Sequence, residues 1–141
     1  MVQLPLQGRT VAVTGAGGSL GLALLRELHR QGASLVALTT RLDPLQLNDD
    51  GGNAIPLRQV SWSCGEEEAL NPVLAECDLL VVNHGFNSHG DRSAAAVEAS
   101  LQINALSSWR LLELFARLAQ ADPPDRPRRE LWMNTSEAEI Q

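Results

Sequence analysis

The run "VAVTGAGGSLGLALLREL", Val11 to Leu28, constrains this chain more than any other stretch. Apolar, β-branched residues from Arg9 to Thr14 end at a cluster of glycines, the pattern of a short buried strand. Directly after it, Ser19 to Gln31 carries Leu20, Ala23, Leu24, Glu27 and Leu28 at helical spacing. Strand, tight turn and helix are therefore expected in immediate succession. Glycines at 15, 18 and 21 have separate tasks in such a turn: a sharp exit from the strand, close approach of backbone N–H groups to a pyrophosphate, and close packing of helix on sheet. The triplet alone is weak evidence for a nucleotide site, so the elements around it decide.

Those elements alternate. Gly32 closes the first helix, and Ala33 to Thr39 is a second apolar strand. Ile55 to Trp62 reads as a third strand beyond the turn at Asp49 to Asn53, and Glu66 to Ala75 as a helix with an acidic first turn. The triplet Glu66 to Glu68 reads as its solvated start. Asp78 to Asn83 is a fourth buried strand. A long helix is expected from Ala94 to Ala121, with Leu101, Ala105, Ser108, Leu112 and Phe115 on its inner face. Leu106 and Leu114 lie off that face and would suit a partner helix, so a homodimer through residues 94–121 is expected. "DPPDRPRR" breaks the helix, and Glu130 to Thr135 is a fifth strand. The pattern predicts an α/β fold: a Rossmann-like doubly wound parallel sheet, strand order 3-2-1-4-5, truncated after strand 5, with ligands at the carboxyl ends of the strands. Residues 1–141 are expected to form one domain.

Composition narrows the chemistry. A formal charge of -6 argues against a nucleic-acid partner, which would need a basic stripe. Cys64 and Cys77 stand thirteen positions apart without metal-ligand spacing, so they read as reduced thiols, and no metal site is implied. No run approaches the roughly 18 apolar residues of a membrane span and no signal-peptide core is present, so a soluble, cytoplasmic protein is expected. All eleven basic residues are arginine, and the chain contains no tyrosine.

Four landmarks in order carry a resemblance to the short-chain dehydrogenase/reductase family. "TGAGGSLG" (Thr14 to Gly21) resembles its glycine turn, with Ser19 where the middle glycine usually stands. "DLLVVNHG" (Asp78 to Gly85) resembles the segment around its Asn-Asn-Ala-Gly loop, with Asn83 in the first asparagine position and His84 and Gly85 departing from the pattern. "QINALSSWRLLELF" places Asn104 on the active-site asparagine. "LWMNTSEAE" resembles the strand that carries the catalytic serine, here Ser136, although in a simple register that slot falls on Glu137. More narrowly, "VNHG" followed by "NTSEAEI" is similar to the reductase-like half of cyanobacterial sterol desaturase/short-chain dehydrogenase proteins. The resemblance implies an NADP(H)-binding N-terminal part of an oxidoreductase that moves hydride between cofactor and a carbonyl or alcohol. It implies cofactor contacts from Thr14, Gly15, Gly17, Gly18, Ser19, Leu20, Gly21, Thr39, Thr40, Arg41, Asn83, His84 and Gly85. The family's tyrosine and lysine are absent from this chain and are expected on a continuation beyond residue 141.

The choice of nucleotide rests on the end of the second strand, where a carboxylate would hydrogen-bond the adenosine ribose and repel a 2′-phosphate. Thr39 and Thr40 stand there, followed by Arg41, so NADP(H) is expected ahead of NAD(H). Against this, Arg41 also reads as a solvated loop residue. Near the third strand the usual adenine-contacting aspartate is replaced by Ser61 or Trp62. His84 reads as a hydrogen-bonding variant of the loop asparagine rather than a substitute acid, and His29 and His89 as surface residues. The substrate is an unknown small molecule. The rival reading is a noncatalytic nucleotide-binding module that senses or scaffolds through the same pocket.

Overall fold

The structure, a computed structural model, describes residues 2–134. Strands β1 (Thr10–Thr14), β2 (Ser34–Thr39), β3 (Arg58–Ser61), β4 (Leu79–Val82) and β5 (Glu130–Met133) form one sheet. Every pair is parallel and the order is β3-β2-β1-β4-β5, as the alternation of elements predicts. Helices α1 (Ser19–Arg30), α2 (Asn71–Ala75), α3 (Ala94–Ser100) and α4 (Ser107–Ala121) connect the strands. A 3-10 turn (Glu67–Leu70) leads into α2, and a π-helical segment (Leu101–Leu106) joins α3 to α4.

Because side chains alternate across a strand, the two faces of the sheet draw on different residues of the same strands. Val11, Val13, Leu35, Ala37, Leu79 and Val81 pack with Leu25 and Leu28 of α1. Ala12, Val36, Leu38, Leu80 and Val82 pack with Leu74, Leu111, Leu114 and Phe115 of α2 and α4. Both faces are covered, which is why the three central strands read as continuous apolar runs.

Four sequence expectations shift, each for an identifiable reason. The third strand is shorter than Ile55 to Trp62: the Ile55 N–H is already bonded to Leu47 at 2.9 Å, and Pro56 has no N–H to give. Pro72 likewise breaks the expected helix from Glu66 to Ala75 into a 3-10 turn and α2, since it cannot donate back to Glu68. In α1 the buried residues are Gly21, Leu25 and Leu28, while Leu20 is 53% exposed. Gly21 fixes that facing, because a Cβ there would stand 2.8 Å from the Ala16 Cα, so only a glycine lets the helix settle onto the turn.

The long helix departs most. The π-helical segment interrupts the regular 3.6-residue period, and of the face expected from an unbroken helix only Ser108 and Phe115 are buried. Leu101 and Leu112 are 54% and 40% exposed, whereas Leu111 and Leu114 are in the core with Ser108 and Phe115. Leu114 is therefore a core residue and not a partner-helix residue. Below α4, the proline-arginine segment forms a clamp. Arg129 donates to the Leu74, Ala75 and Cys77 carbonyls at the end of α2 and grips Asp122 with two bonds of 2.6 and 2.8 Å.

The phase shift has a direct test. Leu114→Ala should destabilise the fold by about 2 to 5 kcal/mol, as expected for a truncated core leucine. Leu112→Ala should cost well under half as much. Urea denaturation that ranks the two the other way would restore the unbroken helical face.

Candidate functional site

Parallel strands release their chains at the same edge, so the exits of β1, β2 and β4 converge on one cavity of about 570 Å³. The glycine turn forms its floor. Gly15 has φ +62, a left-handed conformation that favours glycine, and a Cβ there would meet the Asn83 carbonyl oxygen at 2.9 Å. The turn is thus pressed against the exit of β4. Gly18 caps α1 in extended geometry without a side-chain hydrogen bond, leaving the first-turn N–H groups without a side-chain acceptor.

Of the residues singled out in the sequence, Gly15, Gly17, Gly18, Ser19, Leu20 and Gly21 line the cavity on the α1 side. Thr39, Thr40 and Arg41 line it at the end of β2, and Asn83, His84 and Gly85 at the end of β4. Thr14 lies behind the wall, fully buried. Its hydroxyl oxygen accepts the backbone N–H groups of Asn83 at 2.8 Å and His84 at 3.3 Å, joining the two strand exits. Arg41 lies over Gly17, 3.5 Å from that carbonyl, and pairs with Asp43 at 3.0 Å. Asn104 is turned to the loop after β4: its amide exchanges bonds of 2.7 and 2.9 Å with the Phe86 backbone and reaches Ser100 at 3.1 Å. It therefore fixes that loop. Ser136 lies outside the described residues.

Trp62, Cys64, Phe86, Ile103 and Asn134 also line the cavity. The rule that ligands sit at the carboxyl ends of parallel strands could have pointed to Trp62 and Asn134, which follow β3 and β5 directly. Asn134 donates to the Asn83 side chain at 2.9 Å, tying the β5 exit to the β4 exit. No carboxylate lines the cavity among the described residues.

Behind the wall is a polar chain that residue spacing does not reveal. Glu67, read as part of a solvated triplet, is 2% exposed. Both of its carboxylate oxygens accept the Gly65 N–H, at 3.0 and 3.1 Å. Burial opposes its charge, yet the Gly65 N–H, the Ser107 hydroxyl and Arg110 together hold its pKa below the ordinary carboxylate range. Ser107, fully buried at the start of α4, lies 3.1 Å from His84 Nε2. Across the ring, Nδ1 is 2.9 Å from Thr14 Oγ1, and Trp62 meets the imidazole edge-on with 5.3 Å between ring centroids. Burial pushes the His84 pKa down, against the opposing pull of the Glu67 charge and the Ile103 backbone. The π-helical segment leaves the α-helical ladder here: the Ser107 N–H, which an α-helix would direct to Ile103, goes to Gln102.

Residues 11–137 match the profile of the NAD dependent epimerase/dehydratase family, and the chain belongs to that family. The fold and this match make it a nucleotide-binding domain of the NAD dependent epimerase/dehydratase type, and it shares its fold with a solved short-chain dehydrogenase/reductase superfamily protein of Agrobacterium tumefaciens, the family that the sequence landmarks resemble. Among known proteins it is 41% identical over 137 residues to a monoglucosyldiacylglycerol epimerase of Synechocystis sp.. That alignment takes in 97% of this chain and 33% of the relative, so the chain spans about a third of its length. A solved structure of MoeE5 in complex with UDP-glucose and NAD superposes with a TM-score of 0.61 at 25% identity, covering 78% of this chain and 33% of that one. The UDP-glucose-4-epimerase of Stenotrophomonas maltophila, at 18% identity, shares the fold with a TM-score of 0.68 over 92% of this chain and 38% of its own. No described helix is long and apolar enough to cross a membrane.

The depressed His84 pKa sets a pH window. The unfolded imidazole takes up a proton near pH 6.5, the folded one only at lower pH. Between those values the unfolded state holds more protons, so stability rises with pH. The contribution of neutral His84 is complete above about pH 6.5 and is lost as pH falls through the folded-state value. Denaturation midpoints of the wild type should therefore fall relative to His84→Gln between pH 7 and pH 5. Parallel curves would mean that the ring titrates as it does in water.

Proposed function

We propose that residues 1–141 are the NADP(H)-binding Rossmann domain of a short-chain dehydrogenase/reductase-type oxidoreductase acting at a sugar carbinol or carbonyl. Gly18 carries this reading. Its φ and ψ of -80 and 169 suit any residue, and a Cβ there would meet only the Gly15 carbonyl oxygen at 3.6 Å. The chain's own packing gives no reason for a glycine, whereas a pyrophosphate resting on the turn does, since a side chain would project into the cavity.

In this reading the N–H groups of the turn and first helical residues, from Gly15 to Gly21, hold the pyrophosphate, with Thr14 behind them. Thr39, Thr40 and Arg41 take the adenosine end, and Asn83, His84 and Gly85 the nicotinamide end. When bound, the cofactor supplies a reversible hydride acceptor. The chain's residues supply position: the Thr14 hydroxyl fixes the floor, and Asn104 holds the loop after β4. Asn104 and Ser136 are the chain's candidates for catalytic positions, on the family resemblance. With neither tyrosine nor lysine present, the 141-residue chain has no counterpart of the family's proton donor, and turnover is proposed for a protein in which another segment provides it.

NADP(H) is favoured because Arg41 is the only charged residue lining the described cavity. A 2′-phosphate would compete with Asp43 for that guanidinium. The substrate class is drawn from the 41% identical relative: the hexose headgroup of a glycosylated lipid, whose carbinol an epimerase inverts.

Fluorescence titration with NADPH and NADH tests each part. Gly18→Val should fold as the wild type does and lose binding of both nucleotides. Arg41→Ala should weaken NADPH by roughly tenfold and NADH little, whereas Asp43→Asn should strengthen NADPH. Binding retained in Gly18→Val would remove the nucleotide from this cavity, and equal losses in Arg41→Ala would remove the 2′-phosphate contact.

A further inference from the structure

Resting on the nucleotide reading of the cavity, we propose that the His84 ring is a positioning group for cofactor binding. It accepts the Thr14 hydroxyl at Nδ1 and donates to Ser107 at Nε2, and so holds the glycine turn, the loop after β4 and the start of α4 in one arrangement.

The proton arrangement follows from the bonding capacity of one oxygen. A hydroxyl has one proton and two lone pairs. Thr14 Oγ1 accepts the backbone N–H groups of Asn83 at 2.8 Å and His84 at 3.3 Å, which takes both lone pairs and leaves only the proton for a further bond. Two acceptors are in its reach, the Val81 carbonyl at 3.5 Å and His84 Nδ1 at 2.9 Å. The shorter contact takes the proton. Nδ1 is then an acceptor, and since burial lowers the pKa of the ring, the imidazole is neutral at pH 7.5 and carries its one proton on Nε2. That proton faces Ser107 Oγ at 3.1 Å.

Both ring nitrogens are thus committed within the chain, and neither is left over for a substrate or a nucleotide. What the ring supplies is a junction. Thr14 ends β1, His84 itself follows β4, Ser107 begins α4, and Trp62, directly after β3, meets the imidazole edge-on with 5.3 Å between ring centroids. Four elements around the cavity therefore meet at one side chain. Gly15, Trp62, Asn83, Gly85 and Ile103, which line the cavity, belong to these elements or adjoin them. Without the ring, the Thr14 proton has only the distant Val81 carbonyl, and α4 is untied from the loop after β4. The backbone pairing of β1 with β4 does not involve the ring, so its removal should disturb the cavity more than the sheet.

The experiment combines ¹⁵N NMR of the histidine rings, which reads the tautomer without any nucleotide, with NADPH titration at pH 7.5. The wild-type His84 signal, identified by its loss in the His84 variants, should be a single Nε2–H tautomer. His84→Leu should bind NADPH about tenfold more weakly, and His84→Asn, whose Oδ1 can accept where Nδ1 stood, should recover part of that, to within about threefold of the wild type. Ser107→Ala, which leaves the Thr14 bond in place, should weaken binding about threefold and carries the test should His84→Leu not fold. His89→Asn, at an exposed loop position, should change neither the His84 signal nor the affinity. An Nδ1–H tautomer in the wild type, or wild-type affinity in either His84→Leu or Ser107→Ala, overturns the proposal. Equal weakening in His84→Leu and His84→Asn overturns it too, because the ring would then be a direct contact of the nucleotide. A wild type that binds neither NADPH nor NADH overturns the nucleotide reading itself, and the positioning role with it.

Discussion

The buried hydroxyl of Thr14 is the contact on which the rest of this site depends. Parallel pairing brings β1 and β4 to the same edge, with Val13 opposite Val81, but pairing alone ends where the strands end. Beyond that point the two chains must diverge, one into the glycine turn and one into the loop after β4. Thr14 Oγ1 extends their contact by accepting the N–H groups of Asn83 and His84, the first two residues past β4. The Thr14 hydroxyl is itself fully buried, so without these partners it would be left unsatisfied, and that cost enforces the arrangement.

The other parts of the site are built outward from this junction. Gly15 lies so close to Asn83 and His84 that a side chain would force the loops apart. Gly21 lets α1 sit directly on the turn, which sets both the facing of the helix and the aim of its first N–H groups. On the opposite side His84 reaches α4 through Ser107, and Asn104 reaches the Phe86 backbone. Both reaches start at the π-helical segment, which contains Asn104 and ends directly before Ser107. An irregular stretch of helix thus stands where two loops and a helix must meet, as is common beside ligand cavities.

Electrostatically the cavity and its support are separated. The described cavity wall carries Arg41 and no carboxylate, while the carboxylate of Glu67 is withdrawn behind His84 and satisfied by Gly65, Ser107 and Arg110. A negative charge facing the cavity would repel a phosphate-bearing ligand.

The alternation of apolar runs with helical segments, and the glycines between the first two, determined the sheet, its strand order and the side at which a ligand would sit. These follow from local periodicity and from the handedness of crossovers, which do not depend on details of packing. The residues at the ends of β1, β2 and β4 were legible for the same reason. What the sequence did not determine was the facing of α1 and α4, the burial of Glu67, and the chain from Thr14 through His84 to Ser107. A single residue's shift in helical phase decides which side chains are inside, and contacts that no periodicity shows go with it: Gly21 on Ala16 for α1, and Ser107 on the His84 ring for α4. Glu67 sits among three acidic residues that look alike in the sequence, and only the tertiary structure brings Gly65, Ser107 and Arg110 to one of them.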